Sequence, residues 1–397
     1  MPGSGRTYYV AGAGITGLTL ALALAKFGAT VVVLERNEGI SEFGAGLQIS
    51  PNARKILNNL GLDEALSACS LEPAGIDLYP WRRANPLVTL ELGAVMRQRF
   101  GAPYAVMHRA DLADALYMAC RRFANIDILF GVRGWDVVSH ARGVTVSIDE
   151  ASGQSRTVRG HAFIGADGVH SRTRTEILGG PPARHQHRVA WRTLLPFDSV
   201  ASQIALDRVS VLFAPNYHLV CYPLPHRQQV NLALFAKVPK GQTEFGGTPA
   251  LPNALRPYPR LDVLLAAAGD SWTAWPLSTV ETKQWHAGNI GIAGDAAHAM
   301  VPFQAQGAAM GIEDAAALAP LLIAEANAET AFEKYELARR ARVTRVARTS
   351  AGNGRIFHLP WPLSAARNTV IGLQGSRGHL RRLAWLYGHE IAGSDAH

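Results

Sequence analysis

Three glycines near the start of the chain are the first residues whose types and spacing suggest chemistry. Gly12, Gly14 and Gly17 follow the pattern Gly-x-Gly-x-x-Gly, which lets the backbone turn tightly and approach a pyrophosphate at the N-terminus of the following helix. Glu35 lies near the offset of about 20 residues at which an acid binds a ribose hydroxyl, and we group Arg36 with it. The pattern predicts a dinucleotide site without distinguishing NAD from FAD.

The surrounding sequence supplies the elements that such a site needs. Tyr8 to Ala11 is predicted as a short buried strand, Leu18 to Phe27 as a helix rich in Leu and Ala, and Thr30 to Leu34 as a β-branched strand. Strand, turn, helix, strand and acid therefore occur in the order of a β-α-β unit. Helical spacing is also present from Arg54 to Leu60 and from Ala110 to Phe123.

A second region, from about residue 185 to 275, is rich in predicted strands. Its strand-like segments are Val209 to Ala214, His218 to Tyr222 and Gln229 to Phe235, separated by turns with Pro, Asn and charged residues. Residues 241 to 260 are rich in Gly and Pro, which predicts a loop.

Helices are predicted again toward the C-terminus. A helix of small residues is expected from about 307 to 324, followed by an Arg-rich amphipathic helix over 330 to 350. We interpret the arginines of the second helix as its solvated face. They are Arg339, Arg340, Arg342, Arg345 and Arg348.

Composition excludes several other classes of protein. The 397 residues, 48% hydrophobic and 18% charged, suit a globular protein with two packed domains. The net charge of +8 is spread along the chain, and the sequence has no nucleic-acid-binding motif. Three separated cysteines favour a reducing cytoplasm and, with no ligand spacing among the histidines, predict no metal site. Glycines and Lys26 interrupt the apolar N-terminal stretch, so we expect no stable membrane association.

Later segments carry a resemblance to a known family. Phe163 to Arg174, FIGADGVHSRTR, resembles the Asp-Gly fingerprint of the flavoprotein aromatic hydroxylases, which are single-component FAD monooxygenases. Gly291 to His298, GIAGDAAH, resembles their Gly-Asp fingerprint, and Gln306 to Ala308 and Gly311 to Ala315 follow at the family's positions. With the glycine turn, these motifs extend the likeness over nearly the whole chain.

The chain is most similar to the salicylate hydroxylase and 6-hydroxynicotinate monooxygenase branch, through Gly44 to Asn52 and His218 to Pro223. The resemblance implies an α/β fold: a Rossmann-like FAD-binding domain of the GR2, p-hydroxybenzoate hydroxylase-like type, with an inserted β-rich substrate domain and a C-terminal helical region. We assign 1–75, 100–180 and 276–350 to the FAD-binding domain, 76–99 and 181–275 to the substrate domain, and 351–397 to the C-terminal helical segment.

The resemblance also implies roles at a cofactor site. Asp295 would accept a hydrogen bond from a ribityl hydroxyl, and Arg109 would contact the pyrophosphate or ribityl region. Asp167 would help position FAD and NAD(P)H, although an Asp-Gly dipeptide also forms turns. Gly307 and Ala308, at the start of a helix, would face the flavin ring, and the helix dipole would favour its anionic reduced form.

A catalytic group is expected in the second region. His218 has a type suited to a base near neutrality, and alternation along a strand places Tyr222 on the same face. In the resemblance these two residues match a His and a Tyr at the substrate, and Pro302 lies beside the flavin. The alternative for His218 is a structural histidine at a strand end.

Two positions depart from the nicotinate-type relatives. Gln48 and Phe303 stand where those relatives have histidines, which weakens a 6-hydroxynicotinate assignment. We expect Phe303 to pack on the substrate ring, and Gln48 and Arg192 to bind a substrate carboxylate. Arg192 is equally compatible with a strand residue paired with an acid.

The resemblance implies an NAD(P)H- and O₂-dependent monooxygenase that hydroxylates a small aromatic or N-heteroaromatic substrate through a flavin C4a-hydroperoxide, with NAD(P)H bound transiently. An alternative is an FAD epoxidase or tailoring monooxygenase that acts on a larger nonaromatic or polycyclic ligand. We expect a monomer or a homodimer.

Overall fold

A computed structural model describes residues 3, 5–40, 45–80, 83–242 and 259–391. The predicted loop at 241–260 lies outside the described residues except at its two ends. The described strands, numbered in chain order, are β1 Thr7–Ala11, β2 Thr30–Leu34, β3 Gly46–Ile49, β4 Ser70–Leu71, β5 Gly75–Tyr79, β6 Val88–Glu91, β7 Ala105–His108, β8 Ile126–Leu129, β9 Gly134–His140, β10 Gly143–Asp149, β11 Ser155–Gly160, β12 Ala162–Gly165, β13 Arg184–Pro196, β14 Val209–Ala214, β15 Tyr217–Leu224, β16 Gln229–Lys237, β17 Thr273–Thr279, β18 His286–Ala287 and β19 Ile290–Ile292.

The described α-helices are α1 Ile15–Lys26, α2 Pro51–Asn59, α3 Asp63–Cys69, α4 Gly93–Phe100, α5 Arg109–Cys120, α6 Phe197–Val200, α7 Pro259–Ala268, α8 Asp295–His298, α9 Gly307–Ala324, α10 Ala328–Phe357 and α11 Leu363–Tyr387. A π-helical turn covers Thr173–Ile177 and a 3₁₀ turn covers Pro225–Arg227. Gly375, at φ 55°, interrupts α11 with a kink.

A six-stranded sheet forms the first layer of the molecule, in the order β18-β19-β12-β1-β2-β8. Its strands pair in parallel apart from β18, an antiparallel edge. From β1 the chain first adds β2 and β8 on one side and later β12 and β19 on the other. The sheet therefore has a switch point between β1 and β12, where open parallel sheets bind ligands at the carboxyl ends of their strands.

Apolar helices cover this sheet. Ten of the twelve residues of α1 are buried, and α1 packs against α5 and α9. By length and composition α9 could cross a membrane, but 67% of it is buried within the protein. It packs on α1 and α10, so α9 is a core helix of this layer.

A seven-stranded sheet, in the order β17-β13-β16-β15-β14-β5-β6, forms the second layer. Strand β5, early in the chain, pairs in parallel with β14 and antiparallel with β6, so β5 and β6 share a sheet with β13 to β17. Strand β15 lies between β14 and β16, with His218 opposite Phe213 on one side and Phe235 on the other. This register places aromatic rings around the predicted catalytic histidine.

Candidate active site

A cavity of about 1510 Å³ extends from the carboxyl edge of the six-stranded sheet to the face of the seven-stranded sheet. Its lining includes every site residue predicted from the sequence except Gly17. We call one part the loop end, formed by Gly12, Gly14, Glu35, Arg36, Arg109, Asp167, Asp295, Gly307 and Ala308. We call the other part the sheet end, formed by Gln48, Arg192, His218, Tyr222, Phe235, Pro302, Phe303 and Phe357.

Two positions of the glycine turn require glycine because a side chain there would overlap the backbone. Gly12 has φ +99°, and a Cβ atom there would lie 2.6 Å from the carbonyl oxygen of Ala166. A Cβ atom on Gly17 would lie 1.9 Å from the carbonyl oxygen of Gly12. Gly17 therefore lets α1 begin directly beneath the turn, which explains why it is essential to the motif without lining the cavity.

Glu35 follows β2 and is held beside the same turn. Its Oε2 accepts a hydrogen bond from the backbone N–H of Ala13 (2.8 Å). Its Oε1 accepts hydrogen bonds from the backbone N–H (2.9 Å) and the side-chain amide Nδ2 (2.7 Å) of Asn37. A carboxylate accepts about four hydrogen bonds, so Glu35 keeps capacity for a ligand hydroxyl at the cavity wall.

Asp167 and Asp295 both reach the cavity but differ in their partners. Asp167 accepts hydrogen bonds from Ser171 Oγ (2.6 Å) and from the backbone N–H (2.9 Å) and Oγ1 (3.0 Å) of Thr173. It therefore organises the turn after β12. Asp295 is exposed to the cavity, and its carboxylate has no hydrogen bond or ion pair to the residues that the structure describes. Its position suits a ligand that donates hydroxyl hydrogen bonds.

The N-terminus of α9 also faces the loop end. Gly307 and Ala308 line the cavity there, and the first N–H to bond within the helix is that of Met310, to Gln306 (2.9 Å). The N–H groups of the first turn are therefore directed toward the cavity without intrahelical acceptors. Together with the helix dipole they favour a negatively charged group.

A buried ionic network holds this end in place. Asp314 on α9 accepts hydrogen bonds from the backbone N–H of Gly294 (2.9 Å), His298 Nε2 (2.5 Å) and Arg339 Nε (2.8 Å). Although burial acts to raise the pKa of Asp314, His298 and Arg339 hold that pKa far below its ordinary value. Asp314 thus fixes the turn that precedes Asp295.

The prediction that the arginines of α10 form a solvated face is wrong for Arg339 and Arg342. Arg339 is 2% exposed and bonds Glu313 at 2.6 Å, and Arg342 bonds the same carboxylate through two nitrogens. Arg345 and Arg348 are exposed. The helical period of α10 alone does not reveal that the facing helix α9 carries two buried acids, Glu313 and Asp314. Buried carboxylates need cationic partners, and Arg339 and Arg342 supply them.

The sheet end is walled by aromatic rings. The His218 ring on β15 stacks on Phe235, with centroids 4.8 Å apart, and meets Phe303 edge-on at 5.3 Å. Phe357 meets the same imidazole at 5.3 Å. As alternation along the strand predicts, Tyr222 lines the same cavity as His218. The walls suit a flat, apolar ring.

Arg192 on β13 introduces a cation among these walls. Its Nε is buried without a hydrogen-bond partner, and none of the described acids pairs with it. Burial lowers the pKa of Arg192, nearby Tyr222 acts in the opposite direction, and Arg109 lowers it further. Of the two alternatives for Arg192, the pairing with an acid is therefore not observed, and an anionic ligand would satisfy the free Nε.

Gln48, Pro302 and Phe303 complete the sheet end. The Gln48 side-chain oxygen accepts a short hydrogen bond from the Tyr104 hydroxyl, which fixes the amide at the cavity wall. Pro302 and Phe303 lie in a turn, in which the N–H of Ala305 bonds the Pro302 carbonyl at 3.1 Å. Phe303 is therefore held in contact with His218 and Phe235.

The sequence did not predict the aromatic residues Phe235 and Phe357 of the sheet end, nor the polar residues His358 and Arg188 behind His218. His358, at the C-terminal end of α10, places Nε2 at 2.8 Å from His218 Nδ1. Arg188 Nη1 lies 3.0 Å from His358 Nδ1. Neither His358 nor Arg188 belongs to a recognisable motif. Because 140 residues separate His218 from His358, no local sequence pattern could have revealed their contact.

Comparisons with known proteins agree with this geometry. Residues 7–350 match the family model described as FAD binding domain. The chain is 30% identical to 3-hydroxybenzoate 6-hydroxylase 1 of Aquipseudomonas alcaligenes, over 96% of this chain and 97% of the relative. It is 32% identical to a 3-amino-4-hydroxybenzoate 2-monooxygenase of Streptomyces platensis, with 96% of each covered. It is 30% identical to 6-hydroxynicotinate 3-monooxygenase of Pseudomonas fluorescens, over 87% of this chain and 90% of the relative.

Solved structures show the same fold. Klebsiella pneumoniae HpxO, complexed with FAD and uric acid, superposes with a TM-score of 0.81, at 22% identity and 95% coverage of both chains. A salicylate hydroxylase substrate complex gives a TM-score of 0.76 at 22% identity. The superposition covers 98% of this chain and 97% of that structure. The predicted fold class, an FAD-binding α/β domain with a β-rich insertion and C-terminal helices, is confirmed. The chain therefore belongs to the FAD-binding-domain family of flavoprotein aromatic hydroxylases.

Proposed function

We propose that this enzyme hydroxylates a small aromatic substrate that carries both a hydroxyl group and a carboxylate. The observation that carries the proposal is the composition of the sheet end: aromatic walls, a cation with a free buried nitrogen, and a histidine within one cavity. The FAD bound at the loop end would supply the redox chemistry, using NAD(P)H and O₂.

The loop end fits FAD. Gly12, Gly14 and the start of α1 would approach the pyrophosphate, with Arg109 as its cation, and Glu35 would accept from a ribose hydroxyl. Asp295 would accept from a ribityl hydroxyl. Gly307 and Ala308 would present helix N–H groups to the ring. Arg36 and Asp167 line the wall where NAD(P)H would approach.

At the sheet end each group acts on a different part of the substrate. Phe303 would pack against the ring and, with Pro302, exclude water from the reacting face. Arg192 would bind the carboxylate, assisted by the Gln48 amide, and so fix the orientation of the ring. His218, with Tyr222 nearby, would bind the substrate hydroxyl and raise the electron density of the ring carbon to be oxidised.

Names of the relatives favour this class over the alternative. Relatives of this chain are named for hydroxybenzoates, aminohydroxybenzoates and 6-hydroxynicotinate, all of which carry a carboxylate on a small ring. An epoxidase or tailoring enzyme for a large nonaromatic ligand would have no use for the unpaired Arg192 in an aromatic enclosure. We also propose the domain division given above, a cytoplasmic location, and a monomeric or homodimeric state.

A substrate panel tests the proposal. We expect one or more of 3-hydroxybenzoate, 3-amino-4-hydroxybenzoate, salicylate and 6-hydroxynicotinate to accelerate NAD(P)H oxidation and to incorporate one atom of ¹⁸O from ¹⁸O₂. Phenol, which lacks the carboxylate, serves as the matched control and should react far less. If no carboxylated ring gains oxygen while NAD(P)H is consumed only to form H₂O₂, the proposed substrate class is incorrect.

A further inference from the structure

His218 belongs to a chain of three side chains that runs from the cavity into the protein. Its Nδ1 faces Nε2 of His358 at 2.8 Å, and Nδ1 of His358 faces Nη1 of Arg188 at 3.0 Å. The three residues come from β15, from the end of α10 and from β13. His218 and His358 are 1% and 3% exposed, so water does not compete for these bonds.

Arg188 fixes the direction of both hydrogen bonds among these three side chains. A guanidinium can only donate, so Nδ1 of His358 must accept. A neutral imidazole then carries its proton on Nε2, and His358 donates that proton to Nδ1 of His218. With Nδ1 occupied as an acceptor, neutral His218 carries its own proton on Nε2, the nitrogen left for a ligand in the cavity.

Protonation of either ring is opposed by its surroundings. Burial together with the cations Arg188, Lys237 and Arg367 lowers the pKa of His358 to about 3. Burial, with His358 and Arg188, lowers the pKa of His218 far below its ordinary value. A second proton on His218 would also have to enter at Nδ1, against the N–H of His358. Both histidines are therefore neutral near pH 7.

We propose that His358, oriented by Arg188, is a positioning residue that keeps His218 in the Nε2–H form, so that His218 donates a hydrogen bond to a substrate oxygen. The substrate hydroxyl would then bind as its oxyanion, with its proton already released to solvent, and His218 would stabilise that anion. This inference rests on the proposed function for the identity of the oxygen. It revises the role that the residue type suggested, because a histidine already protonated at Nε2 does not act as the base.

Nitrogen NMR of the FAD-loaded, substrate-free enzyme tests the inference directly. Protonated and unprotonated ring nitrogens of histidine have well-separated ¹⁵N chemical shifts, so a [¹⁵N]histidine-labelled sample reports each tautomer. Resonances are assigned by their loss in His218→Gln and His358→Gln. We expect His218 and His358 both to be protonated at Nε2 and not at Nδ1. The opposite tautomer of His218 in the wild-type enzyme would overturn the proposal, whatever the variants do.

Variants then show whether the chain of donors causes the tautomer. Arg188→Met and His358→Leu should shift His218 toward a mixture with protonated Nδ1, whereas His358→Gln, whose amide can still donate, should keep the Nε2–H form. Arg184→Met removes an exposed cation from the same strand and should change nothing. An unchanged His218 signal in both Arg188→Met and His358→Leu would refute the role of His358. Because no substrate is present, failure of the substrate panel leaves this test valid.

Discussion

At the loop end of the cavity the groups that face a ligand are largely backbone N–H groups and short acidic side chains at the ends of β1, β2, β12 and β19. At the sheet end they are side chains carried by β3, β13, β15, β16, the turn before α9 and the C-terminal end of α10. Each part of the loop end is encoded by a few consecutive residues. The sheet end exists only when strands and helices far apart in the chain have packed together, so its chemistry depends on tertiary structure.

This difference determines how each end should respond to mutation. In the glycine turn, a methyl group added at Gly12 or Gly17 would meet a backbone carbonyl oxygen, and we expect the cofactor site to be lost. At the sheet end a side chain can be replaced while the cavity walls persist, because β13, β15 and β16 are held by continuous ladders. Graded losses in catalysis, with FAD retained, are therefore expected there.

Gly17→Ala should have the largest effect of all. The new Cβ would lie 1.9 Å from the carbonyl oxygen of Gly12, and relief of this overlap requires movement of the turn at a cost of about 3 kcal/mol or more. We expect purified protein without yellow colour, measured as the ratio of flavin to protein absorbance. Gly352→Ala on α10, where no atom lies within 4 Å of the new Cβ, is the control. Full FAD content in Gly17→Ala would contradict the assignment of the turn.

Replacement of His218 should affect catalysis next most strongly and leave FAD in place. His218→Leu removes the donor to the substrate oxyanion, so the substrate should bind in its less reactive hydroxyl form. We expect kcat to fall about 100-fold, the loss typical for removal of one oxyanion donor. His218→Gln retains an N–H donor and should lose less. Single-turnover hydroxylation with the best substrate of the panel measures both. Equal activity of the Leu variant and the wild type would remove His218 from the mechanism.

Arg192→Met should raise KM for a carboxylated substrate more than it lowers kcat. Truncation of one partner of a buried charge pair costs at least about 2 kcal/mol, or about 30-fold in affinity. The same variant should bind a ring without a carboxylate unchanged, and Arg184→Met on the same strand should bind both normally. A KM for the carboxylated ring that equals the wild-type value would place the carboxylate elsewhere.

The loop end and the first layer of the fold could be predicted from the sequence because their signals are local. The segment predicted from Thr30 to Leu34 has the observed bounds of β2, and the strand predicted from Tyr8 to Ala11 differs from β1 only at its first residue. Glycine spacing and strand-terminal acids report directly on backbone geometry. At the sheet end alternation could place His218 and Tyr222 on one face, but nothing in the sequence near His218 indicates its contact with His358.

The burial of charged side chains is the second feature that we did not predict from the sequence. The arginines of α10 follow a helical period, which predicts solvent exposure, yet Arg339 is buried against acids of α9. Burial of a charge is decided by the partner that the fold supplies, and Glu313 and Asp314 lie within an otherwise apolar helix. A buried acid pair in such a helix is the signal that could have indicated buried arginine partners.

The smallest expected effect is a pH dependence of stability that comes from His358, which lies behind His218 of the sheet end. His358 has a pKa of about 3 in the folded protein, lowered by burial and then by Arg188, Lys237 and Arg367, against about 6.5 when unfolded. Below pH 6.5 the unfolded chain therefore binds more protons at this site than the folded chain, so stability falls as pH falls. Between pH 7.5 and 5.5 the contribution of His358 is a loss of about 1.4 kcal/mol.

Urea unfolding of the FAD-loaded enzyme at these two pH values measures the loss. Other groups also titrate over this range, so the informative quantity is the difference between the wild type and His358→Gln, which lacks the titrating ring and should lose about 1.4 kcal/mol less on acidification. His226→Gln removes an exposed histidine and should follow the wild type. Parallel pH dependence in the wild type and His358→Gln would show that His358 is not kept neutral in the fold, and the fixed hydrogen-bond direction from Arg188 to His218 would lose its basis.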